Sequence, residues 1–326
     1  MNSNYKWKSK MGSQLEAFIA LKQSNSFVYE TERYNLSKFD TFCYENSNLD
    51  DYKITRKQLA SWNTQFPNEN VNTMSGRISF IRVFSKYLNS IGIKSYVPGL
   101  TASTYKPLVY IPTVDELKIF FTTVDNHEYP YPIEVMYRIN LNYPIIFRLL
   151  YCCGLRLGEC CSIKREFIDF DNASITILKS KGLKDRIVYL PVDLCKKIRE
   201  FDLKIDSMIP NRIFMFCGKD PTKYLTRCVI ENSFRRLWKE SFPNATGNLP
   251  SPHSLRHSYV CTKVSQWMSE NKDANVMMPY LSKYLGHANI NETYYYYENS
   301  KSVFHFLEKY DKHSMNVIPE VNEYEG

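Results

Sequence analysis

Residues 96–112, YVPGLTASTYKPLVYIP, hold three prolines and a glycine and follow no helical period. Proline fixes φ and removes a backbone donor, so no continuous helix or strand is expected through such a stretch. The 326-residue chain should therefore fold as two domains, 1–95 and 113–300, joined by a linker over 96–112 and followed by a tail, 301–326. Within 1–95, apolar residues recur at helical spacing: Leu15, Phe18 and Ile19, then Phe39 and Phe42, then Ile78, Ile81, Phe84, Leu88 and Ile91. Gly92 reads as the stop of the last helix. The opposite stripe of that helix is Ser75, Ser79, Arg82, Lys86 and Asn89. Arg82 and Lys86 suit phosphate contacts; a solvated helix face fits the same spacing.

Beyond the linker, Thr113-Val-Asp-Glu is a capping box that opens a helix. A long helix is expected over 133–153 and another from near Arg156. Three strand-like runs follow at 167–170, 174–179 and 186–190. The last two flank Lys-Gly-Leu-Lys-Asp, a hairpin turn. The remainder, from Asp193, reads as mostly helical. The fold class is thus mainly α with a small antiparallel β-sheet.

Hydrophobic residues at 44 % and charged residues at 23 % exclude a disordered chain. The formal net charge of +8 suits a polyanionic partner. It is unevenly spread: residues 1–110 carry 14 Lys and Arg against 8 Asp and Glu, and the rest 28 against 26. Nine cysteines without a Cys-x-x-Cys spacing read as reduced, mostly buried thiols of a cytoplasmic protein. The start, MNSNYKWKSKMGS, lacks the apolar core of a signal peptide. The most apolar stretch, YPIIFRLLYCCGL, is broken by Arg148 and too short to span a bilayer, so no membrane partner is expected.

Four segments carry chemistry. In Gly154-Leu-Arg156-Leu-Gly158-Glu159, glycines flank an arginine and allow close backbone approach. An ordinary Arg156–Glu159 i,i+3 ion pair explains the same residues. In Ser180-Lys181-Gly-Leu-Lys-Asp-Arg186, the hairpin tip puts Lys181 on a positioned arm that could give up a proton, or simply keeps a turn soluble. In Ser251-Pro252-His253-Ser-Leu-Arg256, serine suits an N-cap and proline the first helical position, leaving His253 and Arg256 on one face near a phosphate-attracting helix start. In Leu285-Gly286-His287, the glycine ends a helix and presents His287. Four tyrosines, 294–297, follow shortly after and cannot all face inward on a helix.

Taken together, two arginines could neutralise a phosphate's non-bridging oxygens. Histidines could bond the same oxygens or move a proton, lysine could protonate the departing oxygen, and a tyrosine could attack phosphorus. Phosphoryl transfer depends mainly on positioning and charge stabilisation. Such a set could work without a metal, and the sequence shows no carboxylate cluster of the two-metal kind. No cofactor or metal site is expected.

The order Arg156, Lys181, His253-x-x-Arg256, Leu-Gly-His287 and Tyr resembles the tyrosine recombinase (lambda-integrase-like) family over most of 113–300, and less strongly upstream. That family's nucleophile usually lies nine residues past the histidine, which is Tyr296 here, with Tyr297 as runner-up. The stretch from Arg256 to His287 is longer than in the shortest members, and there is no room before residue 13 for an arm-type domain. The resemblance implies a two-domain clamp on double-stranded DNA, with a helical core-binding domain and a catalytic domain of small sheet and helices. It implies cleavage through a 3′-phosphotyrosyl link, stabilised by Arg156 and Arg256. Lys181 would be the general acid, His253 the base or proton shuttle, and His287 a donor to the phosphate. It further implies a homotetramer on sites with inverted repeats, accessory DNA-bending proteins, a tail docking on a neighbouring subunit, and a bacterial enzyme associated with the nucleoid when bound. Integration and excision of a mobile element is the first expectation. Dimer resolution, DNA inversion, or a non-cleaving DNA-binding regulator are the alternatives. The same residues also resemble type IB topoisomerases, but the two-domain layout favours a recombinase.

Overall fold

The computed structural model describes residues 5–25, 27, 29–64, 66–99, 110–127, 134–178, 185–287 and 289–298, the last four through their backbone alone. The chain divides into two compact units, Met1–Pro107 and Leu108–Gly326.

The first unit contains α1 (Gly12–Ser24), α2 (Glu30–Glu45), α3 (Arg56–Trp62) and α4 (Val71–Ser90). Its core takes the residues that the spacing selected: Leu15, Phe18, Ile19, Phe39, Ile81, Phe84 and Leu88 are all buried. Phe18 and Phe84 meet at 5.4 Å between ring centroids. Gly92 has φ +86°, the left-handed turn that stops a helix. One apolar position departs from the expected stripe. Ile91 is 48 % exposed, because α4 ends at Ser90 and Ile91 is already its cap. Of the two cations on the opposite stripe, Arg82 donates from its guanidinium to the Pro98 carbonyl and Lys86 is exposed. The linker's residues 100–109 and the tail 301–326 lie outside the described residues.

The second unit starts with α5 (Val114–Asn126), α6 (Glu134–Cys153) and α7 (Leu157–Cys161). Thr113 caps α5 as expected, its hydroxyl accepting from Glu116 N–H at 3.2 Å. Strands β1 (Ile168–Asp169), β2 (Ser174–Ile177) and β3 (Arg186–Tyr189) form an antiparallel sheet in that order. Ile175 and Val188, paired across β2 and β3, are both fully buried. The remaining helices are α8 (Val192–Met208), α9 (Arg227–Ser241), α10 (Pro252–Ser269), α11 (Ala274–Leu285) and α12 (Asn291–Glu298).

An aromatic cluster locks α5, α6 and α9 together. Phe120 stands 4.9 Å from Phe234, 5.6 Å from Phe147 and 5.4 Å from Trp238, centroid to centroid. Such pairs add about 0.5–1.5 kcal/mol each beyond their area burial, enough to fix the rotation of α9 about its axis. Helix α10 packs against both α6 and α12, which brings the His-x-x-Arg segment to the end of α6. All nine cysteines are free and seven are buried. Among the described residues, no helix is long and apolar enough to cross a membrane.

Candidate active site

Helix α6 ends at Cys153, and the chain turns at Gly154 with φ +61°. A Cβ there would stand 2.5 Å from Tyr259 Cδ1 and 2.9 Å from Leu285 Cδ2, so both the backbone conformation and the close packing require glycine. The freed Gly154 carbonyl accepts from Arg256 Nη1 at 2.6 Å, across 102 positions of sequence. Arg256 Nη2 donates to the Leu285 carbonyl at 3.0 Å and to His287 Nε2 at 2.8 Å. These three acceptors are neutral. They orient the guanidinium without cancelling its charge.

A second turn answers the first. Gly286 ends α11 with φ +66°, and His287 N–H donates to the Ser282 carbonyl at 3.0 Å, closing the last turn of the helix. The Gly286 carbonyl accepts from Arg156 Nη2, across 130 positions. Each arginine of the candidate site is therefore docked on a glycine carbonyl beside another site residue. The Arg156–Glu159 ion pair is present at 2.9 Å, so that plainer reading of the segment also holds. Glu159 does more than pair with its neighbour: it accepts from Arg186 Nη1 at 3.0 Å and Nη2 at 2.8 Å. Burial pushes its carboxyl up, but the donors from Arg186 and Arg156 outweigh that and hold it below the usual range.

Helix α10 opens as expected, with Ser251 as N-cap, Pro252 in the first turn, and Ser254 Oγ accepting from Ser251 N–H at 3.1 Å. His253 and His257 lie one turn apart, with their rings edge to face at 4.5 Å. A cleft of about 630 Å³ is lined by Arg156, Glu159, Arg227, Arg235, Ser251 and His253, among others. Arg256, which is 0 % exposed, and His287 stand off its wall. Lys181 lies outside the described residues. Tyr296 is in α12, its backbone alone being described. The sequence reading missed Arg227 and Arg235. Their signal was the 227, 231, 235 spacing, i, i+4 and i+8 on one helical face. Among the described residues, no group of three or more His, Cys, Asp or Glu could hold a metal ion.

The site's histidines are neutral near pH 7. Burial, then His253, Arg256 and His287, push His257 down to about 3. Burial, then Arg256 and Arg156, bring His287 to about 3 as well. His253 is exposed along the cleft; the cover it does have, with Arg256, Arg156 and Arg227, lowers it to about 4. A free histidine titrates near 6.5. On acidification the unfolded chain takes up these protons first, so stability is full above about pH 6.5 and is lost as pH falls from there toward 3. Urea unfolding at pH 7 and pH 5 should show a clearly lower midpoint at pH 5, and His257→Asn should flatten the difference. Equal midpoints at the two pH values would contradict this placement of the rings.

The second unit is thus mainly helical with a three-stranded antiparallel sheet, and its two buried or half-buried arginines are laced to glycine carbonyls and a histidine beside the cleft. The sequence pattern of the Phage integrase family matches residues 122–302, more than half of the chain, and the chain belongs to that family, the tyrosine recombinases. A tyrosine recombinase of Pseudothermotoga lettingae is 27 % identical over 249 residues, 74 % of each chain. The crystal structure of the XerH site-specific recombinase bound to palindromic difH substrate matches with a TM-score of 0.63 at 20 % identity, over 91 % of this chain and 83 % of that one. A lambda integrase dimer bound to a COC′ core site matches with a TM-score of 0.59 at 15 % identity, over 89 % and 95 %. At such identity the two structures establish the shared fold, mainly α with a small antiparallel sheet.

Proposed function

We propose that the chain is a site-specific recombinase that cuts and rejoins double-stranded DNA through a 3′-phosphotyrosyl intermediate, and that it integrates and excises a mobile element. The observation that carries this reading is the reciprocal docking of Arg156 on Gly286 and of Arg256 on Gly154 and His287. Residues more than 100 positions apart are held as one cationic unit beside the cleft. Preorganised cations of this kind stabilise charge that develops on a phosphate, and they need no rearrangement during the reaction.

In the reaction, the Tyr296 oxygen attacks phosphorus and the bond to the 5′-oxygen breaks. His253, neutral at working pH, accepts the phenol's proton, and Lys181 gives a proton to the leaving 5′-oxygen. Arg156 and Arg256 offset the charge on the non-bridging oxygens; the neutral His287, expected from the sequence as a donor to the phosphate, instead accepts from Arg256 through Nε2 and so orients that guanidinium. Arg227 and Arg235 extend the cationic wall toward neighbouring phosphates, a role the sequence reading gave to Arg82 and Lys86 in the first unit. The tyrosyl phosphodiester conserves the energy of the broken bond, so the partner strand's 5′-hydroxyl reverses the step without ATP. Residues 1–95 serve as the core-binding domain, 96–112 as linker, 113–300 as the catalytic domain, and 301–326 as the tail that couples subunits of a tetramer on inverted repeats, with accessory DNA-bending proteins.

The test is a nicked duplex carrying the junction of the DNA that flanks the encoding gene, incubated with the full chain in chelator. A protein–DNA adduct that survives denaturing electrophoresis is expected, undiminished by chelator. Strand breaks that need a divalent cation and leave no adduct would contradict the reading.

A further inference from the structure

Thr293 is 0 % exposed and belongs to none of the motifs that mark the site. Its hydroxyl lies 2.7 Å from His287 Nδ1. The other ring nitrogen, Nε2, lies 2.8 Å from Arg256 Nη2. A guanidinium only donates, so Nε2 must accept and carry no proton. The proton of the neutral ring is then on Nδ1, and Thr293 Oγ1 accepts it. A doubly protonated ring would present N–H to N–H at Arg256. Thr293 sits in α12, three positions before Tyr296, and its own N–H donates to the Ile290 carbonyl at 2.8 Å. One hydroxyl therefore joins two parts of the site: the imidazole that supports Arg256, and the helix that carries the tyrosines.

We propose that Thr293 is a positioning residue for strand cleavage, whose hydroxyl holds His287 in its Nδ1–H tautomer against Arg256 and fixes α12 to that pair. The inference rests on the recombinase reading above for its kinetic consequence, and on hydrogen-bond geometry alone for the tautomer. A group that fixes a catalytic imidazole's tautomer acts through the ring, so its loss should matter only while the ring is there.

The test combines rates of covalent adduct formation with ¹⁵N NMR of the histidine-labelled full chain. Thr293→Val keeps the branched shape and removes the acceptor. It should slow adduct formation on the order of 10- to 100-fold, with half-site DNA binding retained. Thr293→Ser should restore the rate to within about threefold of the unmodified chain. In a His287→Ala background, Thr293→Val should cost less than about twofold, because the two changes share one interaction. The NMR spectrum of the unmodified chain should show His287 protonated on Nδ1. An Nε2–H tautomer, a serine variant as slow as valine, or a full additional loss in the His287→Ala background would each overturn the proposal. If the unmodified chain forms no adduct on any DNA, the recombinase reading fails, and the tautomer measurement alone decides the role of Thr293.

Discussion

Tyr296→Phe should abolish covalent attachment to a nicked suicide substrate, while Tyr294→Phe, Tyr295→Phe and Tyr297→Phe should retain it. This is the largest effect the account expects, because phenylalanine has no oxygen to attack phosphorus. The assignment has two supports. Tyr296 lies nine positions past His287, the spacing that the resemblance to the family implies. The backbone of Asn291–Glu298 is helical, so successive side chains leave it about 100° apart and one tyrosine alone can be directed at a given phosphate. Tyr294 is already accounted for. It packs against the apolar cluster of α10 and α11, and its hydroxyl reaches Asn275 Oδ1 at 3.4 Å. The helix continues to Glu298, which removes the irregular backbone that would favour Tyr297. A phenol's reference pKa is about 10, so the nucleophile needs its cationic surroundings, and loss of either arginine should also slow attack. Adduct lost in Tyr297→Phe and kept in Tyr296→Phe would move the assignment by one position.

Lys181→Ala should lose about 10²–10⁴-fold in cleavage of ordinary DNA, the usual contribution of a positioned general acid. On DNA with sulfur at the 5′-bridging position the variant should cleave nearly as fast as the unmodified chain, because a thiolate leaves without a proton. Lys181 itself lies outside the described residues, but the downstream strand of its hairpin is anchored. Arg186 opens β3 and is gripped by Glu159, the same carboxylate that holds Arg156. The arm expected to carry the acid is thus rooted on the first arginine's own partner. Equal impairment on both substrates would remove the general-acid role and leave Lys181 as a DNA contact.

Local signals were the readable part of this chain. Thr113, Ser251 and Pro252 mark helix starts, Gly92 and Gly286 mark helix ends, and the Ile81, Phe84 and Leu88 stripe marks a core face, because caps, turns and periodicity act within a few residues. The residue types of the site were also readable, since phosphate chemistry requires cations and proton carriers. What joins them was not. The docking of Arg256 on Gly154 and of Arg156 on Gly286 spans 102 and 130 positions, and nothing local in either segment predicts the other. Thr293 was passed over for a different reason: it lies six positions from His287, too close for long-range pairing and outside any periodic pattern that would couple the two side chains. The contact of Arg82 with the Pro98 carbonyl was hidden as well, because Pro98 lies outside any helical window; a neutral acceptor leaves the guanidinium's charge in place.

The measurement that bears most directly on the central claim is the chemistry of the trapped adduct. The full chain is incubated with a nicked substrate, the covalent product is digested with protease and nuclease, and the joined fragment is sequenced by mass spectrometry. The account predicts a peptide containing residue 296, with its tyrosine oxygen bonded to a DNA 3′-phosphate and a free 5′-hydroxyl on the released strand. A 5′-phosphoryl linkage, attachment through a residue other than a tyrosine of 294–297, or cleavage with no protein attached would contradict it.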